Sequence, residues 1–152
     1  MAIATRAAEV NWEGTLAGGQ GTLSGASGAI EKLPVSWAAR TQEPGGRTSP
    51  EELIAAAHAS CFAMALALVL GEAKSPPGQL AVSARCTLDE VEGAPRITAV
   101  DLSVRARLRG IDAERFERCL ADAARLCPVS NALRGAVQIN VTGKLEPLPA
   151  PA

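Results

Sequence analysis

The sequence predicts an α+β fold of order βββ-α-ββ-α-α-β, with a mostly antiparallel sheet wrapped around one long central helix. Three observations carry that expectation. The run from Pro50 to Leu70 is apolar for most of its length and is bracketed by helix start and stop signals. The segments on either side of it alternate apolar and polar residues with the period of two expected of strands. Further on, Phe116, Cys119, Leu120, Ala123 and Cys127 recur on one face of a 3.6-residue period.

The elements follow in order. Glu9 to Glu13 and Gln20 to Ser24, separated by L-A-G-G, suggest a hairpin. Leu33 to Ala38 reads as a third strand, and R-T-Q-E-P-G-G-R-T-S, from Arg40 to Ser49, as a polar loop long enough to be functional. Ser49 fits a helix N-cap, Pro50 the first helical position, and Glu52 the far end of an S-x-x-E capping box. Gly71 stands where a C′ glycine belongs. The enclosed helix is about 21 residues, or roughly 30 Å long. Gln79 to Val91 and Ile97 to Leu108 alternate as strands around the turn E-G-A-P, with Arg105, Arg107 and Arg109 on the solvated face. Asp112 caps the second helix, Pro128 interrupts it, V-S-N-A-L adds a short turn, and Ala136 to Leu145 forms the last strand. Residues 1–146 are expected to make one domain, followed by a Pro/Ala-rich tail, 147–152, that frays.

Composition removes several classes of function. Among 152 residues, 15 basic and 16 acidic side chains leave a net charge of −1. That balance is not a nucleic-acid footprint. Two Trp, two Phe and no Tyr leave little with which to stack bases. The first dozen residues contain no apolar stretch of signal-peptide length, so a cytoplasmic chain is expected. Leu53 to Leu70 is long enough for a membrane span. It is mostly alanine, however, with no Lys/Arg cluster on its N-terminal side, so no membrane partner is expected. A helix apolar on all faces is a buried one, and covering it in so small a domain calls for a second subunit.

Chemistry then rests on sulfur. Cys61, Cys86, Cys119 and Cys127 form no C-x-x-C pair, and His58 is the single histidine. Neither a structural zinc site nor another metal or cofactor is expected. In a reducing compartment such thiols are buried filler or redox groups. Cys86 and Cys119 face the core sides of their elements and read as filler. Cys61 sits mid-helix with His58 one turn earlier on the same face. Cys127 lies at a helix junction, where unpaired N–H groups favour a thiolate. Residue patterns alone stop at a two-cysteine redox protein.

T-S-P-E-E-L-I-A-A-A-H-A-S-C-F-A-M-A-L resembles the signature of the OsmC/Ohr family of thiol-dependent hydroperoxide reductases. A-R-L-C-P-V-S-N-A-L resembles that family's second cysteine motif, and W-E-G-T-L-A-G-G-Q-G-T-L-S-G-A-S-G its N-terminal segment. The resemblance implies Cys61 as peroxidatic cysteine, Cys127 as resolving cysteine, Glu51 as the acidic partner and Arg40 as the arginine that activates the thiolate. Arg47, in the same loop, competes for that last role. Because L-A-G-G-Q-G-T holds no arginine, the chain is closer to the OsmC branch than to the Ohr branch.

The resemblance further implies an intertwined homodimer, an organic hydroperoxide substrate and an external dithiol reductant. Leu53, Ile54, Phe62 and Met64 suit an alkyl or aryl tail. Glu51 precedes Cys61 by ten residues on one helix, about 15 Å of axial rise, which no glutamate side chain spans. Either the Arg40 loop bridges that distance or Glu51 serves the Cys61 of a second subunit. Two other classes stand beside the peroxidase: a non-redox ligand-binding or structural stress protein, and a cysteine hydrolase using Cys61 with His58 as base.

Overall fold

Strands β1 (Ala8–Glu13) and β2 (Gln20–Gly25) form the expected hairpin, and β3 (Leu33–Val35) adds to β2, all antiparallel. The tight connection at Gly19 leaves room for no side chain, since a Cβ there would stand 2.3 Å from the Thr15 carbonyl oxygen. β3 is shorter than the expected strand to Ala38. Ser36 ends it by turning into an N-cap, its hydroxyl accepting from Ala39 N–H at 3.1 Å, and a short helix α1 (Trp37–Thr41) follows. In the computed structural model residues 1–148 are described. They divide into two units, Met1–Leu53 and the remainder from Ile54, with the boundary inside the long helix α2 (Pro50–Glu72).

The start of α2 obeys its sequence signals with one change. Ser49 Oγ accepts from Glu52 N–H at 3.1 Å, as an N-cap should. The Glu52 carboxylate, in contrast, accepts from the Thr48 hydroxyl at 2.7 Å, so the capping-box acid is held by the residue before the cap. The end of α2 corrects the expectation at Gly71, which lies inside the helix with open space where its side chain would be. The left-handed C′ residue is Lys74, at φ 62°. Ser75 N–H reaches Leu70 O at 2.9 Å and Lys74 N–H reaches Gly71 O at 3.1 Å, the paired bonds of a Schellman motif.

In the second unit, β4 (Gln79–Val91) and β5 (Ala94–Arg107) form a long antiparallel hairpin through Glu92 and Gly93, both at positive φ. That is the primed two-residue turn that matches strand twist. Thr98 is the extra residue of a bulge opposite Thr87 and Leu88. It shifts the inward-facing set, so that beyond Ile97 and Ala99 the buried residues are Val100, Leu102, Val104 and Ala106. The chain then crosses through α3 (Ala113–Leu126) and α4 (Pro128–Leu133) to β6 (Gln138–Glu146), parallel to β5. Three of the four strand pairings are antiparallel. The α+β order is therefore the expected one with the extra helix α1, although the strands make two three-stranded sheets.

The core of this unit unites Phe62, Leu66 and Leu70 of α2 with the inward face of β5 and with Phe116, Leu120, Ala123 and Cys127. Only one face of α2 is covered in this way. On the other, Met64 and Leu68 remain 72% and 56% exposed. Helix α3 comes so close to β6 that a Cβ on Gly143 would stand 2.4 Å from Leu120 Cδ1. Leu148 of the expected tail lies beside Gly78, and residues 149–152 are outside the described residues.

Two stability measurements check this packing. Gly71→Ala replaces a helix-interior glycine with free space around it and should stabilise by about 0.5 kcal/mol, read as a higher urea midpoint; a true C′ glycine would lose stability instead. Gly143→Ala should cost about 1–3 kcal/mol through overpacking against Leu120 and Phe116.

Candidate active site

In the first unit, α1 and the first turn of α2 bring Arg40 and Glu51 together. Arg40 Nη2 donates to Glu51 Oε1 at 2.7 Å, and Nε donates to Oε1 and Oε2 at 3.0 and 3.1 Å. The carboxylate is nearly buried and the guanidinium keeps part of its surface open. Trp37 flanks it, its ring centroid 5.8 Å from Arg40 Cζ. A planar guanidinium gripped through two nitrogens and backed by an indole has few orientations left to it. Arg47 is exposed.

In the second unit the two candidate cysteines meet. Cys61 is half-buried on α2, and Cys127 is fully buried at the single residue between α3 and α4, where it closes one helix and caps the next. The two thiols lie close enough to shift each other's ionisation, and the Val129 N–H bears on both sulfurs. Ser130 N–H donates to Cys127 Sγ at 3.5 Å, and the Ser130 side chain bonds the same sulfur. His58, one turn before Cys61, is fully buried and has its Nε2 2.7 Å from Ser130 Oγ. Its other ring nitrogen, Nδ1, is buried with no partner.

These surroundings push the two thiols in opposite directions. Burial raises the Cys61 pKa, the Val129 N–H opposes that in part, and Cys127 raises it again. Burial also works against the Cys127 thiolate, but the donors from Ser130, Cys61 and Val129 outweigh it and bring Cys127 below the ordinary thiol value. Within this unit Cys127 is therefore the thiol that ionises more readily and Cys61 the one that holds its proton longer. Among the described residues, the groups that move the Cys61 pKa include no cation. Burial lowers the His58 pKa, which keeps its imidazole neutral.

The remaining residues sort by exposure. Leu53 and Ile54 are half-buried and Met64 is exposed. Phe62 departs from the substrate-contact expectation: it has no exposed surface and belongs to the core cluster, behind the helix face that carries Cys61. Cys119 is buried with a pKa raised by burial, as core filler should be. Among the described residues no group of three His, Cys, Asp or Glu side chains converges to hold a metal. Ser130 was not singled out from sequence. Its signal was the C-P-V-S spacing, with a cap at Cys127 and a polar residue three positions on.

The model of the family described as OsmC-like protein matches residues 43–142. Peroxiredoxin OsmC of Escherichia coli (strain K12) is 39% identical over 132 residues, covering 87% of this chain and 92% of that protein. An organic hydroperoxide resistance protein of Xanthomonas axonopodis pv. citri is 29% identical over 99 residues, covering 64% of this chain and 68% of that one. Among solved structures, an organic hydroperoxide resistance protein from Elizabethkingia anophelis superposes with a TM-score of 0.73 at 26% identity, over 95% of this chain and 99% of that one. The match across more than half of the sequence, joined to that identity and this fold, establishes that the chain belongs to the OsmC-like protein family.

Proposed function

We propose that this protein is a thiol-dependent peroxidase that reduces organic hydroperoxides to alcohols. The observation that carries the reading is the neighbouring pair Cys61 and Cys127, one thiol half-open and the other buried. Relatives named peroxiredoxin and organic hydroperoxide resistance protein support the same chemistry. The Cys61 thiolate attacks the terminal peroxide oxygen, the O–O bond breaks, and the alkoxide leaves to be protonated as alcohol. Cys61 is then a sulfenic acid. Cys127 attacks its sulfur, the S–S bond forms, and hydroxide leaves as water. An external dithiol returns both cysteines to thiols and is itself oxidised. Met64, Leu53 and Ile54 offer apolar contact to the alkyl or aryl group, and the cytoplasm supplies the reducing setting.

The first step needs a Cys61 thiolate, whereas burial and Cys127 hold the proton on Cys61. A cation within about 4–6 Å lowers a thiol pKa by roughly 1–3 units. Arg40, oriented by Glu51, is the group suited to supply it. Our reading places that pair on the Cys61 of a second copy, in a homodimer with two equivalent sites. Two observations support this: the rise along α2 that separates Glu51 from Cys61, and the large apolar side chains left exposed on each unit, Val10 and Trp12 on the first and Met64 and Leu68 on the second. The hydrolase alternative is weaker, because the Nε2 of His58 is occupied by Ser130 and its Nδ1 has no partner. A non-redox role predicts inert thiols and is separated by the same experiment.

Reduced protein given one equivalent of cumene hydroperoxide should consume it and show a Cys61–Cys127 disulfide by peptide mass mapping; thiols that stay unchanged would sink the peroxidase. Cys61→Ser should abolish consumption, and Cys127→Ser should stop after one turnover as the sulfenic acid. The shared site is checked by complementation. Arg40→Ala and Cys61→Ser chains, each inactive alone, should recover roughly a quarter of wild-type rate when unfolded and refolded together in equal amounts, since half the dimers are then mixed and each holds one intact site. No recovery would place Arg40 and Cys61 of one site on the same chain.

A further inference from the structure

We propose that His58 and Ser130 form a buried donor relay that holds Cys127 as a thiolate in the steps that make and break its disulfide with Cys61. The proposal rests on the peroxidase reading above and assigns these two as positioning residues within it. His58, Ser130 and Cys127 are each no more than 1% exposed, so bulk solvent does not reach them. The Ser130 hydroxyl has one proton and two neighbours, His58 Nε2 at 2.7 Å and the Cys127 sulfur.

The unpartnered Nδ1 decides which neighbour receives that proton. Were the hydroxyl to donate to Nε2, the neutral imidazole would carry its own proton on Nδ1, a buried donor with no acceptor. Orphaned buried N–H groups are rare because they forfeit a hydrogen bond that water had supplied. With the proton on Nε2 instead, every donor finds an acceptor: Nε2–H gives to Ser130 Oγ, and Ser130 O–H gives to Cys127 Sγ. Only a lone pair on Nδ1 stays unfilled. The chain of donors then ends on sulfur, which Ser130 N–H, Val129 N–H and the Cys61 thiol also face. A sulfur ringed by donors is matched to the thiolate. The titratable groups facing Cys127 are Cys61 directly and His58 through Ser130, both from α2. Burial keeps that histidine neutral, so the relay can donate without adding a charge of its own.

Exposure gives the relay its direction in the cycle. Cys61 is half-buried and Cys127 fully buried, so an incoming dithiol reaches the Cys61 sulfur. One of its thiolates forms a new S–S bond to Cys61, the Cys61–Cys127 bond breaks, and Cys127 leaves as thiolate onto the relay. The second thiol of the dithiol then releases Cys61 and the oxidised dithiol departs. In the other direction, the same thiolate attacks the Cys61 sulfenic acid. Leaving-group and nucleophile quality both depend on how readily Cys127 carries charge.

The test follows the conversion of Cys61 sulfenic acid to disulfide in single turnovers, quenched and read by mass, from pH 5 to pH 9. In Ser130→Ala and His58→Leu, the half-maximal pH of this step should rise by about one unit, so that below it disulfide forms about tenfold more slowly and sulfenic acid accumulates. His58→Gln, whose amide keeps a donor near the Nε2 position, and Ser130→Thr, which keeps the hydroxyl, should return toward the wild-type profile. These two variants separate the relay from a packing defect. The relay is overturned if Ser130→Ala tracks wild type, or if Gln and Leu at position 58 behave alike. If wild-type protein forms no Cys61–Cys127 disulfide with peroxide, the peroxidase reading and the relay fall together. A normal wild-type disulfide with unmoved variant profiles removes the relay alone.

Discussion

A sulfur atom placed in the wall of an apolar helix can carry charge only if donors are brought to it, and the second unit is arranged around meeting that constraint. The buried face of α2, through Phe62, Leu66 and Leu70, shares one core with the inward residues of β5 and with α3. That packing puts Cys61 against the junction where α3 ends and α4 begins. Pro128 forces the junction, because it cannot continue the i to i−4 ladder of α3 yet is well suited to open α4. Cys127 is left between the two helices, facing N–H groups that neither helix satisfies. The close approach of β6 at Gly143 holds α3 in place from the other side.

The same geometry makes the two thiols unequal. Cys127 gathers donors from Ser130, Val129 and Cys61, while Cys61 keeps its proton under the weight of burial. In the proposed peroxidase a Cys61 thiolate therefore needs a positive charge to offset its burial. Arg40, fixed by Glu51 and stacked near Trp37, is an oriented charge of the right kind.

Helix α2 shows how one stretch of sequence can serve several demands. Its alanines let neighbouring elements approach closely, its larger apolar residues fill the core, and its face at Met64 and Leu68 stays exposed. His58 is the exception among these apolar residues. It is tolerated in the core because Ser130 answers one of its nitrogens.

Local chemistry was legible in the sequence wherever it follows from neighbours along the chain. The caps at Ser49 and Asp112, the break at Pro128, the hairpin before Gln20 and the period of α3 all depend on residues a few positions apart. The three motifs that mark the family were legible for the same reason. Local rules failed where a distant partner intervened. Ser36 closed the third strand early because its hydroxyl found a helix to cap. Gly71 stayed helical because burial of Val69 and Leu70 outweighs a glycine's local preference and carries the helix on to Glu72. The pairing of His58 with Ser130, 72 residues away, had no trace in periodicity. Spacing showed that Cys61 and Cys127 were the thiols to watch, but which of them holds the proton depends on the donors that folding brings to each sulfur. Those donors come from the α3–α4 junction and meet Cys61 only when it packs against α2, so the answer belongs to the tertiary structure.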